Sequence, residues 1–143
     1  MLKVSIITAS FNCASTIKQT IESVLAQDYP NIEYWVIDDG SSDGTKELLA
    51  SYGSRIHYIS EPDHGIYDAF NKGLVRVTGE FVGVIGADDF YPSTDVIRSV
   101  VDTFNRKQVD AVYGDLEFID PVSLKVVRQW RAGAYKRSNW LWG

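Results

Sequence analysis

The feature that most constrains the fold is an alternation of short apolar segments with segments of helical periodicity. Between the apolar segments, apolar residues recur every three to four positions, which is typical of a helix with one buried face. The apolar segments are rich in β-branched residues and cover positions 3–8, 32–38, 55–60 and 81–85. The alternation predicts an α/β fold with a mostly parallel sheet, right-handed crossovers and helices on both faces.

Capping residues predict where the helices begin. Ser15 is expected to cap the first helix, and the loop 40–43 the second, which Gly53 would close. Residues 66–77 predict the third helix, and Ser93 or Thr94 is expected to open the fourth.

The pattern changes after residue 110. Apolar positions around a turn at 121–123 predict two strands joined as a β-hairpin, and these positions are Val112, Leu116 and Phe118, followed by Val126, Val127 and Trp130. Residues 1–110 are therefore interpreted as an α/β core, and residues 111–143 as a C-terminal extension within the same domain.

Composition excludes several classes of protein. A chain of 143 residues can bury a core without disulfides or metals. No signal peptide and no apolar run of about 20 residues is visible, and the single cysteine, Cys13, fits a reducing compartment. These features predict a cytoplasmic protein, and the net charge of −5 argues against a nucleic-acid partner.

Two acidic pairs directly follow apolar segments. They are Asp38-Asp39 and Asp88-Asp89, and both are expected at the carboxyl edge of the sheet, where ligands bind in such folds. Neighbouring side chains on an extended strand point to opposite faces. We therefore expect one carboxylate of each pair to face a ligand and the other to brace loop amides. For Asp38-Asp39, ordinary turn chemistry is an equally good interpretation.

Carboxylates without a nearby His or Cys suit Mg²⁺ or Mn²⁺ rather than zinc. The chain lacks the glycine-rich signatures of nicotinamide and P-loop enzymes, so both classes are disfavoured. His57 is interpreted as a packed or surface residue, whereas His64 lies in a loop where it could contact a ligand.

Four segments in this order, at 4–12, 36–45, 60–73 and 86–89, carry a resemblance to a known family. Together they resemble the N-terminal, donor-binding part of family 2 glycosyltransferases of bacterial polysaccharide biosynthesis, which have a Rossmann-like GT-A fold. The resemblance implies inverting transfer of a sugar from a UDP- or GDP-sugar to the hydroxyl of a saccharide or lipid-linked acceptor, with Mn²⁺ or Mg²⁺ as cofactor.

The resemblance also implies site residues. The positions assigned to nucleotide binding are Ala9, Ser10, Phe11, Asp39, Asp63, Gly65, Lys72 and Asp88. Asp39 would accept an imide N–H of the base, and Asp89 would bind the metal. Lys72 either helps to neutralise the diphosphate or is a solvated helix lysine.

The resemblance places the general base in a C-terminal acceptor region, which is expected beyond Gly143. Asp115 and Asp120 remain as acids but are interpreted as structural. Basic residues and tryptophans cluster near the end of the chain, at Arg128, Trp130, Arg131, Lys136, Arg137, Trp140 and Trp142. We expect further chain to cover this cluster; an oligomer contact or an anionic surface at the inner face of the membrane are the alternatives.

Two other functions are weighed against this one. A non-catalytic module that binds a nucleotide sugar or Mg²⁺, such as a receiver domain, would need acids after the first strand, where Thr8-Ala9-Ser10 stands instead. A sugar nucleotidyltransferase would need a glycine-rich, basic loop at the same place, and the chain lacks one.

Overall fold

The computed structural model describes residues 1–134. The chain forms two compact units, Met1–Ser99 and a C-terminal unit that begins at Val100. The helices and strands follow the predicted order: β1 (Val4–Ser10), α1 (Ile17–Leu25), β2 (Ile32–Asp38), α2 (Thr45–Ser51), β3 (His57–Ser60), α3 (Ile66–Leu74), β4 (Phe81–Val84), α4 (Val96–Lys107), β5 (Leu116–Ile119) and β6 (Val126–Trp130).

Strands β1 to β4 form one parallel sheet in the order β3-β2-β1-β4. The register sets Ser10 opposite Asp38 and Ile7 opposite Val84. Successive side chains of a strand point to opposite faces, and Ser5, Ile6 and Ile7 of β1 are all fully buried or nearly so. Both faces of the sheet are therefore covered, and the predicted α/β architecture is confirmed.

Helix α3 lies unusually close to the central strand. A Cβ at Gly73 would come within 2.8 Å of Ile7 Cγ2, so only glycine permits this approach. On this face, Ile7, Ile37 and Ala69 form a buried cluster against which Trp35 and Phe70 pack. The close packing fixes the direction in which α3 leaves the carboxyl edge of the sheet.

Several predicted boundaries are wrong by a few residues. Helix α1 begins at Ile17 after Thr16, not at a Ser15 cap, and its start makes no side-chain capping hydrogen bond. Helix α2 begins after Gly44, one residue beyond the predicted loop, but Asp43 of that loop accepts the amide of the first helical residue, Thr45, and Gly53 follows the C-terminal cap as predicted. Helix α4 begins at Val96, after Asp95, whose carbonyl accepts the Ser99 amide at 2.9 Å, and not at Ser93 or Thr94.

Strand ends also differ from the prediction. Strand β1 continues past Thr8 to Ser10, since its partner β2 offers hydrogen-bonding positions up to Asp38. Strand β3 begins only at His57, because Gly53–Arg55 forms a turn of 3₁₀ helix. Helix α3 ends at Leu74 and strand β4 at Val84, which is earlier than predicted.

The C-terminal unit contains the predicted hairpin, in which β5 and β6 pair antiparallel. The turn between them is closed by Asp120, whose Oδ1 accepts the amide protons of Val122 and Ser123. Val112 lies outside the strands, which begin at Leu116. Within residues 1–134 no helix is both long and apolar enough to span a membrane.

Candidate functional site

The carboxyl edge of the parallel sheet brings both acidic pairs together. The chain builds the sheet outward from β1 through β2 to β3 and then returns to the other side of β1 with β4. Open α/β sheets bind ligands beyond the strand ends at such a reversal. Asp39 follows β2 and Asp88-Asp89 follow β4, so the pairs flank the end of β1, with about 10 Å between the two strands.

Asp38 is a structural carboxylate at the end of β2. It is completely buried, and its Oδ2 accepts hydrogen bonds from the Ser41 amide at 3.0 Å and from Ser60 Oγ at 2.6 Å. Its Oδ1 accepts the hydroxyl protons of Ser10 and Ser41. This residue joins the ends of β1, β2 and β3 and braces the Ser41 amide, as expected of one acid of the pair, whereas a ligand-facing role for the other acid stays a prediction.

Asp39 is half-buried and opens toward the edge of the sheet. Its Oδ1 accepts the backbone amide of Asp63 at 2.6 Å, while Asp63 Oδ1 accepts the amide of Gly65 at 2.7 Å. Gly65 has a φ of 105°, which favours glycine, and precedes α3 directly. Three predicted site residues, Asp39, Asp63 and Gly65, therefore belong to one hydrogen-bonded unit.

Lys72 holds this unit from the side of α3. Its Nζ donates to the Pro62 carbonyl at 2.7 Å and lies 3.3 Å from Glu61 Oε1 and 3.7 Å from Asp68 Oδ2. The side chain is only 20% exposed. The structure therefore shows a lysine engaged with the 61–68 segment rather than a freely solvated one, and its role toward a diphosphate stays a prediction.

The three predicted residues of the β1 end differ in their surroundings. Ser10 is buried and donates to Asp38, and Ala9 packs against the core cluster. Phe11 is 60% exposed just beyond the strand and offers an open aromatic face. Of the three, Phe11 is the side chain that can meet a planar ligand.

The loop after β1 is tied to the loop after β2. The Asn12 amide donates to Ser41 Oγ, and Asn12 Oδ1 accepts the amide of Ser42. The Ala14 amide donates to Asp43 Oδ2 at 3.0 Å. Hydrogen bonds from the Thr45 hydroxyl and the Ala14 amide lower the pKa of Asp43, so this carboxylate is ionised while it holds both loops.

Asp88 and Asp89 lie in a turn rather than on an extended strand. The Asp89 amide donates to the Gly86 carbonyl at 3.2 Å. A Cβ at Gly86 would lie 2.8 Å from Asp89 Oδ2 and 3.1 Å from Asp88 Oδ1. The expectation that the two side chains point to opposite faces is therefore wrong for this pair, because the turn directs both carboxylates toward the same point.

The electrostatics of this turn fit a cation. Partial burial, together with the neighbouring charge of Asp88, raises the pKa of Asp89, as expected where negative charges are close and lack a counter-charge. Within residues 1–134 no three His, Cys, Asp or Glu side chains are grouped as a self-sufficient metal site. Mg²⁺ and Mn²⁺ do not need one, since they use one or two carboxylates and complete their shell with phosphates and water.

Other candidate residues take structural positions. His57 is exposed and stacks on Trp35 with 4.7 Å between ring centres, in keeping with its interpretation as a packed or surface residue. His64 is exposed, and its backbone amide donates to Asp68. Burial raises the pKa of Cys13, which disfavours its thiolate. Lys136, Arg137, Trp140 and Trp142 lie outside the described residues.

Some residues at the site were not identified from sequence. Ser41 and Ser60 hold Asp38, and Thr20, on α1, donates its hydroxyl to the Asp89 carbonyl at 2.7 Å. Thr20 carries a recognisable signal, because it is a hydroxyl side chain among the apolar positions of an amphipathic helix. The residue that it contacts, Asp89, lies 69 positions away, so the sequence pattern of α1 alone could not identify the contact.

Residues 5–142 match the family model described as glycosyl transferase family 2. An uncharacterized glycosyltransferase of Rickettsia conorii is 38% identical over 122 residues, covering 82% of this chain and 20% of that protein. The putative teichuronic acid biosynthesis glycosyltransferase TuaG of Bacillus subtilis is 40% identical over 90 residues, covering 60% of this chain and 36% of TuaG. The chain therefore spans well under half the length of these relatives.

A solved structure has the same fold. The mannosyltransferase PcManGT of Pyrobaculum calidifontis, solved in complex with GDP-Man and Mn²⁺, superposes with a TM-score of 0.67 and is 26% identical. The match covers 86% of this chain and 37% of that one. The fold expected from the sequence resemblance is thus confirmed.

Proposed function

The chain belongs to glycosyl transferase family 2, and on that premise we propose that it binds a nucleoside diphosphate sugar for inverting transfer to an acceptor hydroxyl. One observation carries this proposal: the Asp39 unit and the convergent Asp88-Asp89 turn flank the end of β1 at the point where the sheet reverses direction. The first offers hydrogen bonds to a base, and the second offers negative charge to a metal.

Phe11 and Asp39 form the proposed base end of the site. Phe11 presents an exposed ring on which a base can stack. Asp39 uses Oδ1 to hold the Asp63 amide, which leaves Oδ2 to accept an N–H of the base. Both uracil and guanine present such a donor, so UDP and GDP donors are both compatible with these two residues.

Asp88 and Asp89 form the proposed diphosphate end. We assign the metal to Asp89, with Asp88 near the ribose or the sugar, because the two carboxylates converge and Asp89 has a raised pKa beside its neighbour. A bound Mn²⁺ or Mg²⁺ would act as a Lewis acid for the departing diphosphate. PcManGT is a related precedent, since its structure contains GDP-Man and Mn²⁺.

The acceptor and the general base are inferred from the chemistry of the transfer, without assigning them to particular residues. Asp115 Oδ1 accepts the Ala132 amide, and Asp120 closes the hairpin turn, so we assign the general base to neither acid. We propose a base C-terminal to the donor-binding region and a saccharide or lipid-linked acceptor. A cytoplasmic location, near the source of nucleotide sugars, fits the unpaired Cys13.

Calorimetry with UDP, GDP and their sugars, each in Mn²⁺ and in EDTA, tests the proposal. We expect one nucleotide series to bind, and Mn²⁺ to tighten its binding. Asp89→Asn should abolish the effect of Mn²⁺, because it removes the assigned metal ligand. Asp39→Asn should weaken binding about equally in Mn²⁺ and in EDTA, because it acts at the base.

The matched control is Asp102→Asn, which removes the same charge from an exposed position on α4 and should leave both affinities unchanged. Absence of nucleotide binding by the unaltered chain in either buffer would overturn the proposed function. Release of pyrophosphate from UTP and a sugar 1-phosphate would instead identify a nucleotidyltransferase.

A further inference from the structure

Helix α1 and the residues just after it carry a row of polar side chains beside the buried apolar stripe of the helix. Thr20, Ser23 and Gln27 are spaced three and four residues apart, which places them along one side of the helix and its C-terminal end. Thr20 is completely buried, and Ser23 and Gln27 are half-buried. We call these residues the α1 polar row.

Each residue of the α1 polar row bonds the backbone of the segment between β4 and α4. The Thr20 hydroxyl donates to the Asp89 carbonyl at 2.7 Å, and Ser23 Oγ accepts the amide of Tyr91 at 3.1 Å. Gln27 uses both ends of its amide: Nε2 donates to the Ser93 carbonyl at 2.7 Å, and Oε1 accepts the Ile97 amide at 3.0 Å. The chain between β4 and the start of α4 is thus held at successive points by α1 and by Gln27 just beyond its end.

The hydrogen bond of Thr20 is the one closest to the acidic turn. It fixes the carbonyl of Asp89, and the Thr20 hydroxyl also lies 3.5 Å from the carbonyl of Gly86, at the other end of the turn. Holding these two carbonyls restrains the backbone from which the Asp88 and Asp89 side chains extend. The contact therefore limits where the two carboxylates can lie.

A buried threonine at this position is informative because valine would fill nearly the same volume. An unpaired buried hydroxyl is unfavourable, so the polar atom is tolerated only because the turn supplies its acceptors. Apolar packing alone would not require a hydroxyl here. The residue type therefore points to the contact with the turn.

We propose that the α1 polar row positions the Asp88-Asp89 turn for the metal-dependent part of donor binding, with Thr20 as the main positioning residue. This inference rests on the proposed function. It assigns Thr20, Ser23 and Gln27 no contact with the donor. Groups that hold metal ligands in place commonly change metal affinity by about 10- to 100-fold when removed.

Thr20→Val tests the inference in the full 143-residue chain, with UDP and GDP as probes. We expect the Kd in Mn²⁺ to rise about tenfold while the Kd in EDTA stays the same. Thr20→Ser, which keeps the hydroxyl, should restore the effect of Mn²⁺. Ile21→Val, which trims the apolar face of α1 next to Thr20, should behave like the unaltered chain.

Ser23→Ala provides a second and milder test, because Ser23 is half-buried. Ser23→Ala should also weaken the Mn²⁺-dependent part of nucleotide binding, by less than Thr20→Val does. It therefore tests the inference if Thr20→Val does not fold. An unchanged effect of Mn²⁺ in the folded variants would overturn the inference, as would an equal loss of affinity in Mn²⁺ and EDTA. The proposed function fails separately, when the unaltered chain binds no nucleotide in either buffer.

Discussion

Asp38 and Asp39 are neighbours in the chain, yet their carboxylates meet different surroundings. Asp38 is completely buried and accepts hydrogen bonds from Ser10, Ser41 and Ser60. Asp39 is half-buried and uses one oxygen for the Asp63 amide. Asp38 is the last residue of β2 and Asp39 the first residue beyond it, and a difference between the two acids was predictable. The identity of the residues that satisfy Asp38 was not, because they come from three separate segments.

Gly86 is the residue that lets the second acidic pair converge. A Cβ at this position would lie 2.8 Å from Asp89 Oδ2 and 3.1 Å from Asp88 Oδ1, so any side chain would push the carboxylates apart. The backbone does not need a left-handed glycine here, since Gly86 is not among the positive-φ residues. Its importance is spatial rather than conformational.

Gly86→Ala should therefore weaken Mn²⁺-dependent nucleotide binding about tenfold, in the range typical of displaced metal ligands. The free energy of unfolding should change by less than about 1 kcal/mol, because flexible carboxylates can move away from the new methyl group. Calorimetry in Mn²⁺ and EDTA, together with urea denaturation, measures both effects.

Gly114→Ala is the control for this substitution, because a Cβ there would meet no atom within 4 Å. It should leave nucleotide affinity unchanged. If Gly86→Ala bound nucleotide in Mn²⁺ as tightly as Gly114→Ala, the two carboxylates would not act together.

Strands β1 and β2 are also tied at the opposite, amino edge of the sheet. Glu33 accepts hydrogen bonds from Ser5 Oγ at 2.6 Å, from Lys3 Nζ at 2.9 Å and from the Thr78 amide at 2.8 Å. Partial burial raises the pKa of Glu33, but these hydrogen bonds outweigh it and lower the pKa to about 2. The cluster joins β1, β2 and the segment that leads into β4.

Glu33→Gln should lower the free energy of unfolding by about 2 kcal/mol near pH 7, since it replaces charged hydrogen bonds with neutral ones. The folded-state pKa lies below the unfolded value of 4.5, so the contribution of Glu33 is complete above pH 4.5 and is lost as the pH falls toward 2. Urea denaturation of both chains between pH 2.5 and 7 measures the difference.

A constant difference across this pH range would contradict the prediction. Nucleotide affinity should not change in Glu33→Gln at pH 7, because Glu33 and the candidate site lie at opposite edges of the sheet. This variant therefore separates the stability of the sheet from the function of the site.

At the level of secondary structure, the local sequence pattern predicted which helices and strands form better than it predicted where each one begins and ends. The periodicity of α1 was clear, but the helix begins at Ile17 after Thr16 and not after Ser15, because the preceding residues form a turn in which the Ile17 amide donates to the Cys13 carbonyl. Strand β1 gains two residues because β2 pairs with it as far as Asp38. Boundaries depend on partners from elsewhere in the chain, which the local pattern does not contain.

The two compact units of the chain differ in the candidate functional residues that they contain. The unit Met1–Ser99 contains every residue assigned here to donor and metal. In the C-terminal unit, the acids Asp115 and Asp120 bond backbone amides of the hairpin. All residues of the proposed donor site therefore lie within the first unit.

We therefore expect this chain to hydrolyse its donor weakly and to transfer sugar inefficiently to a saccharide acceptor. The physical reason is that Asp115 and Asp120, the acids weighed as a base among residues 1–134, are engaged with backbone amides and would not remove the proton of the acceptor hydroxyl. Release of UDP or GDP with and without acceptor measures both reactions, and Asp89→Asn sets the background. Rapid transfer that depends on the acceptor would contradict the prediction.

The sequence by itself determined the order of strands and helices, the covered faces of the sheet and the edge at which the acids lie. These follow from periodicity and chain direction, which are local properties. Only the tertiary structure decided that Asp88 and Asp89 converge, that Asp38 is a structural residue, and that Thr20 holds the acidic turn. Those features depend on hydrogen bonds between residues far apart in the chain, such as the 69 positions from Thr20 to Asp89.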